Sequence, residues 1–112
     1  MKTNTSDWTY NQFLAYLLLY AAHADTKLTD EEKEVIFSRT GTHNYHAVKT
    51  HFGHANDYER LQVILGFRDS YFPDEHSRKK LLKNLHELFL SDYEFSAAEQ
   101  GFLLGIKRVL AG

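Results

Sequence analysis

One turn sequence occurs twice in this chain, with apolar helix-forming residues on both sides of each copy. Each copy contains an aspartate, an apolar residue, a threonine or serine, and a glutamate: Asp25, Leu28, Thr29 and Glu32 in the first, and Asp92, Phe95, Ser96 and Glu99 in the second, 67 positions later. The flanking residues keep this offset, because Leu14 and Leu18 correspond to Leu81 and Leu85. Self-similarity at a fixed offset indicates a repeated structural unit. The repeat predicts two helical hairpins related by a pseudo-two-fold axis, with their first helices packed together.

Apolar residues follow helical spacing along the whole chain, and no segment alternates with the period of two that a strand requires. With one proline and six glycines in 112 residues, little of the chain is available for loops. We therefore expect an all-α fold, a single domain over residues 1–112 with about six helices. The first is predicted to start near Ser6 or Thr9 and to run to about His23, and the others lie near 29–40, 44–52, 58–72, 75–90 and 96–110.

Start and stop signals accompany these segments. Thr9 with Gln12 has the spacing of a capping box, in which each residue hydrogen-bonds to the backbone N–H of the other. Gly41 and Gly53 are predicted to end the second and third helices, and Pro73 the fourth. Asp74 can cap the fifth helix. The first helix is apolar nearly all round, which predicts that it lies at the centre of the bundle.

Charge and composition exclude several kinds of protein. The 13 basic and 15 acidic side chains nearly cancel, so no long-range field draws the protein to nucleic acid or to an anionic membrane. The absence of cysteine excludes disulfides, zinc–thiolate centres and cysteine nucleophiles. The longest apolar run, at 13–22, is far shorter than the roughly 20 residues that cross a bilayer. We expect a soluble, cytoplasmic protein without a membrane span.

The repeated turns support two interpretations. Thr29 with Glu32, and Ser96 with Glu99, have capping-box spacing, and each cap would contribute about 1 kcal/mol without any ligand. Alternatively, Asp25 and Asp92 could bring carboxylate oxygens to a hard cation such as Ca²⁺ or Mg²⁺. The spacing does not match an EF-hand, whose sixth position requires a glycine.

The turn pattern Asp-x-x-apolar-Ser/Thr-x-x-Glu, present twice, resembles that of the TerB-like tellurite-resistance domain. The resemblance covers about 12–110 and is strongest over 12–41 and 78–110. It implies an all-helical domain of two hairpins, a bacterial stress-response or tellurite-resistance setting, and divalent metal at the turns, with Asp25, Glu32, Asp92 and Glu99 as the matched positions. The family usually carries glycine directly after the aspartate, where this chain has Thr26 and Tyr93.

Four of the seven histidines lie within twelve positions: His43, His46, His51 and His54. An unbroken helix would place all four on one side, which would suit zinc, nickel or copper. However, Gly53 is predicted to end the helix before His54, and no pair has the favourable spacing of four. We expect solvated histidines.

No nucleophile motif and no glycine-rich phosphate loop is present, so we expect a non-enzymatic protein. A basic cluster, at Arg78, Lys79, Lys80 and Lys83, is predicted to be a solvated helix face, with contact to nucleic acid or to an acidic partner as the alternatives. Trp8 and Tyr10 are expected to fold back onto the bundle. Two functions remain open: a divalent-metal module acting through the repeated turns, and a protein-interaction scaffold in which the turns are only helix caps. Protein partners are expected, and nucleic acid is not.

Overall fold

The computed structural model describes residues 8–23, 29–90 and 97–111, with the side chains of 97–99 and 111 excepted. Every regular element in these ranges is a helix, which confirms the all-α prediction. The described residues contain seven helices rather than about six: α1 (Tyr10–Ala22), α2 (Asp30–Thr40), α3 (Thr42–His54), α4 (Asp57–Leu65), α5 (Arg68–Tyr71), α6 (Glu75–Leu90) and α7 (Ala97–Ala111). None of these seven is both long enough and apolar enough to cross a membrane.

The helix starts follow local sequence signals. Thr9 and Gln12 form the predicted capping box, with distances of 2.9 and 3.2 Å between the backbone nitrogens and the side-chain oxygens. Asn56 and Glu59 form another at the start of α4. Before α6, the carboxylate of Asp74 accepts a hydrogen bond from the backbone N–H of Ser77 at 2.8 Å. The hydrogen bonds from Ser77 lower the pKa of Asp74, because they stabilise the charged carboxylate.

Two predicted boundaries are wrong. Gly53 does not end the third helix, because α3 continues to His54. The predicted helix over 58–72 is two helices, since the chain leaves the α-helical path at Gly66 and Phe67. A β-carbon at Gly66 would lie 3.3 Å from the carbonyl oxygen of Val63, and the N–H of Phe67 bonds three residues back, to Ile64. The tight turn places the Phe67 ring in the core, at 6% exposure.

The first helix is central, as its apolar circumference predicts. Every residue of the segment 13–19 is buried, and α1 contacts α2, α3, α4 and α6. The repeat predicted the pairings α1 with α2 and α6 with α7, joined through α1 and α6, and all three contacts are present. Buried leucines of α6, among them Leu81 and Leu85, supply its side of the core.

Part of this core is a cluster of aromatic side chains around Trp8. Trp8 is 8% exposed, which confirms that it folds back, and its ring centroid lies 5.0 Å from that of Tyr16. The Tyr71 hydroxyl donates a hydrogen bond of 2.7 Å to the carbonyl oxygen of Trp8. The rings of Phe13 and Phe72 are also stacked, with their centroids 5.8 Å apart. Trp8, which precedes α1, is therefore held by α5 as well as by α1.

Candidate functional site

The first repeated turn forms the predicted capping box at the start of α2. Oε1 of Glu32 accepts hydrogen bonds from the backbone N–H and the hydroxyl of Thr29, at 3.1 and 3.2 Å. The N–H of Glu32 donates to the Thr29 hydroxyl at 3.1 Å. Glu32 is only 2% exposed, whereas Asp30 and Glu31 beside it face solvent. The predicted capping box is thus present at the start of α2.

Most of the predicted metal ligands lie outside the described residues. Asp25 and Asp92 lie outside the described residues, as does the side chain of Glu99. Of the predicted ligands only Glu32 is described, and its Oε1 is occupied by the cap. Within the described parts of the chain, no three His, Asp or Glu side chains come close enough together to hold a metal ion. Metal binding at the turns therefore stays a prediction.

The four histidines of α3 do not share one environment. His43, His46 and His54 are exposed, as predicted. His51 is half-buried, contrary to the prediction, and its Nδ1 lies 3.0 Å from the hydroxyl oxygen of Tyr16. His51 thus has a structural contact within the protein. The prediction missed it because neither residue signals a partner 35 positions away.

The Tyr16 hydroxyl beside His51 is a weak acid in this environment. Tyr16 is fully buried, and burial raises its pKa to about 12 because the phenolate would lose its hydration. The Arg60 guanidinium opposes this shift, and Glu59 adds to it. Tyr16 therefore stays protonated at neutral pH and acts as a hydrogen-bonding group rather than as a base or nucleophile.

The basic cluster of the sequence lies along α6. Lys79, Lys80 and Lys83 are exposed, and Arg78 is partly buried. Lys79 pairs with Glu75 at 3.4 Å across one helical turn, a contact in which both side chains are mostly exposed. The Lys80 ammonium lies 5.8 Å from the ring centroid of Tyr10. We call Arg78, Lys79, Lys80 and Lys83 the basic surface of α6.

Two surface cavities adjoin the basic surface. The first, the α6–α7 cavity, has a volume of about 190 Å³ and is lined by Glu75, Arg78, Lys79, Leu82 and Lys107. The second, the α1–α2–α6 cavity, has a volume of about 480 Å³, and its charged lining residues are Arg39, Lys80, Lys83 and Glu87. Arg39 forms an ion pair with Glu87 and donates a hydrogen bond of 2.8 Å to Asn84.

Sequence reasoning found the basic surface of α6 and missed the neighbours that extend it. Lys107 reaches the α6–α7 cavity from α7, and Arg39 reaches the other cavity from α2. No local sequence pattern indicates that Lys107 and Arg39 lie close to α6, because their proximity depends on how the helices pack. The observed arrangement places exposed ammonium groups beside a few apolar side chains, among them Leu14 and Leu82, which suits a carboxylate-rich peptide surface.

Comparison with protein-family models, with curated proteins and with solved structures gives no match for this chain. The resemblance to TerB-like domains therefore rests on the repeated turn residues alone and stays a prediction.

Proposed function

We propose that this chain is a non-enzymatic interaction module that binds an acidic protein segment on the basic surface of α6. The observation that carries the proposal is the position of exposed Lys79, Lys80 and Lys83 beside two cavities, each of which is lined by three basic residues and one acidic residue. An acidic segment placed there would meet ammonium groups along α6 and could insert an apolar side chain into either cavity.

Neighbouring carboxylates do not fully neutralise the lysines of the basic surface of α6. In the α1–α2–α6 cavity the carboxylate of Glu87 is engaged by Arg39, which leaves Lys80 and Lys83 without an ion pair among the described residues. In the α6–α7 cavity Glu75 meets Lys79, but pairs between exposed side chains contribute at most about 1 kcal/mol. Carboxylates of a partner can therefore compete for these lysines.

A protein partner is favoured over nucleic acid by the overall charge. The net charge of −2 provides no long-range attraction for the long polyanionic backbone of a nucleic acid, and only a local surface is positive. A short acidic peptide segment can match that local surface without bringing a long array of phosphates against the acidic first turn of α2, where Asp30 and Glu31 are exposed.

The test is binding of a fluorescein-labelled oligoglutamate peptide, measured by fluorescence anisotropy in the presence of EDTA. The double variant Lys80→Glu, Lys83→Glu should weaken binding at least about tenfold, which corresponds to 1.4 kcal/mol. The matched control is Lys2→Glu, Lys27→Glu, which changes the net charge equally without altering a lysine of either cationic site. Equal losses in both variants, or no binding to the unmodified protein, would contradict the proposal.

Divalent-metal binding at the repeated turns is the second candidate. The recurrence of aspartate at positions 25 and 92 favours it, together with the buried carboxylate of Glu32 at the first turn. In this alternative Ca²⁺ or Mg²⁺ raises the melting temperature, and the gain disappears in the Asp25→Asn, Asp92→Asn variant. The control Asp57→Asn, Asp69→Asn keeps the gain. A flat response of the unmodified protein to both ions would reject the candidate.

The resemblance to TerB-like domains supplies the proposed setting: a bacterial cytoplasmic protein of the stress response or of tellurite resistance. Expression in a tellurite-sensitive bacterium tests it. Improved growth on tellurite that is lost in the Asp25→Asn, Asp92→Asn variant would link the setting to the turns. Unchanged growth would remove this part of the proposal.

A further inference from the structure

We infer that this chain has a second binding site, for a small phosphate monoester, where α1, α2, α3 and α4 meet. A pocket of about 310 Å³ opens there, at the lower end of the volumes typical of ligand sites. We call it the α1–α4 pocket. It is separate from the basic surface of α6, because the residues that line it belong to α1, α2, α3, α4 and the cap of α1.

Each of four structural elements contributes one basic side chain to this pocket: His23 from the end of α1, Lys33 from α2, Lys49 from α3 and Arg60 from α4. None of the described residues that line the pocket is acidic. This distinguishes it from the α1–α2–α6 cavity, whose lining includes the carboxylate of Glu87, paired with Arg39. Three permanent cations therefore converge on one small volume, which suits a doubly charged anion.

Arg60 is held in place before any ligand binds. Its guanidinium carbon lies 3.8 Å from the ring centroid of Phe52, and its Nε and Nη2 donate to the Phe52 carbonyl oxygen at 3.0 and 2.7 Å. Nη1 lies 3.3 Å from the carboxylate of Asp57, whose side chain is 89% exposed. Both terminal nitrogens carry a second N–H, which remains for an anion. A guanidinium fixed in this way loses little conformational freedom on binding.

One wall of the pocket is apolar. Leu19, Tyr45 and Phe52 line it and are at most 4% exposed, so they are firmly packed. The His23 ring lies 4.8 Å from that of Phe52, measured between centroids. Because a carbonyl oxygen only accepts, the 3.0 Å contact between Leu19 oxygen and His23 Nδ1 places a proton on Nδ1. His23 Nε2 is then the nitrogen that can contact a ligand.

These features together select the ligand class. Lys33, Lys49 and Arg60 recognise a phosphate group, which carries nearly two negative charges at neutral pH and three acceptor oxygens. A ring attached to that phosphate would contact the small exposed parts of Leu19, Tyr45 and Phe52 along the apolar wall. Inorganic phosphate would use only the cations, and a neutral aromatic molecule only the wall. A phosphate ester of a ring compound uses both.

The test uses phenyl phosphate as the probe, titrated into the full chain and followed by ¹H–¹⁵N NMR. Chemical-shift changes should centre on the amides of Gly53, Lys49 and His23. The variant Lys33→Gln, Lys49→Gln should weaken binding at least about tenfold, whereas Lys80→Gln, Lys83→Gln should leave the dissociation constant within about twofold. Phenyl phosphate should bind at least about fivefold more tightly than inorganic phosphate, since only the ester buries apolar surface.

Three outcomes would overturn the inference: no saturable shifts at these amides, equal loss of affinity in both double variants, or equal affinity for phenyl phosphate and inorganic phosphate. Should the double variant be unfolded by circular dichroism, Lys49→Gln alone serves, because Lys49 is exposed and its replacement leaves the core intact. The result is independent of the proposed peptide site. Peptide binding is expected to depend on Lys80 and Lys83, and phenyl phosphate binding on Lys33 and Lys49.

Discussion

The hydroxyl oxygen of Tyr16 in α1 lies 3.0 Å from Nδ1 of His51 in α3. The Trp8 ring contacts both, with its centroid 5.0 Å from that of Tyr16 and 5.6 Å from that of His51. Tyr16 is fully buried and His51 half-buried, so this hydrogen bond satisfies a polar group at the inner edge of the core. It joins the central helix to a neighbouring helix that the repeat does not include.

Replacing Tyr16 with phenylalanine removes this hydrogen bond and keeps the ring. We expect the free energy of unfolding to fall by about 1 kcal/mol, because Nδ1 of His51 loses its partner while the packing of the ring is kept. Urea denaturation followed by circular dichroism measures the change. Tyr58→Phe is the matched control, since Tyr58 is 70% exposed and should change stability little. Equal effects of the two substitutions would contradict the structural role of the pair.

The raised pKa of Tyr16 predicts a loss of stability in alkali. The folded protein holds the phenol proton up to a pKa of about 12, whereas the unfolded chain releases it near 10. Between these values the folded state binds more protons than the unfolded state, so the free energy of unfolding decreases as the pH rises. Burial also raises the pKa of Tyr10 and Tyr20, which adds to the same trend.

This alkaline effect is measured by urea denaturation at several pH values between 9 and about 12, the pKa of Tyr16. Tyr16→Phe should reduce the slope, because its unfolded state has one phenol fewer to ionise. A slope that is the same in the variant would show that other groups account for the whole pH dependence.

The cap at the start of α2 can be tested at its hydroxyl group. Thr29→Ala removes the acceptor for the N–H of Glu32 and should lower the free energy of unfolding by about 1 kcal/mol. Thr29→Ser keeps the oxygen and should lose much less. Thermal and urea denaturation of the two variants provide the comparison, and similar losses in both would assign the effect to the methyl group instead of the cap.

Gly53 and Gly41 should respond to alanine in opposite directions. A β-carbon at Gly53 meets no atom within 4 Å, and the residue is helical, so Gly53→Ala should stabilise the protein by up to about 1 kcal/mol. Gly41 has a φ of 92°, which other residues rarely adopt, so Gly41→Ala should cost about 1–3 kcal/mol. Urea denaturation measures both. A destabilising Gly53→Ala would place the end of α3 before that residue.

Helix boundaries show how far local sequence signals reach. The starts at Thr9 and Thr29 were predictable, because a capping box involves only residues three positions apart. Gly41 was predictable as an end for the same kind of reason. The predicted end at Gly53 was wrong, and the helix predicted over 58–72 missed the break near Gly66, since a glycine alone does not say whether the chain turns there. Gly53 remains in α3, whereas the break near Gly66 accompanies burial of the Phe67 ring.

The candidate sites also differ in how much of each could be predicted from the sequence. The basic cluster from Arg78 to Lys83 could be predicted from the sequence, because all of its residues lie on one helix. Arg60 was not recognised, since its role depends on the ring and the carbonyl oxygen of Phe52, eight positions earlier on another helix. Lys33 and Lys49 are ordinary surface lysines in sequence and become a pair only through the α1–α4 pocket.

Helix formation, capping and the central place of α1 follow from residues within about one turn of each other, together with the apolar circumference of a single segment. The local sequence therefore determines these features. The Tyr16–His51 bond, the aromatic cluster around Trp8 and the convergence of four basic side chains join residues far apart in sequence. They depend on which helix faces pack together, because that packing brings distant side chains within contact range.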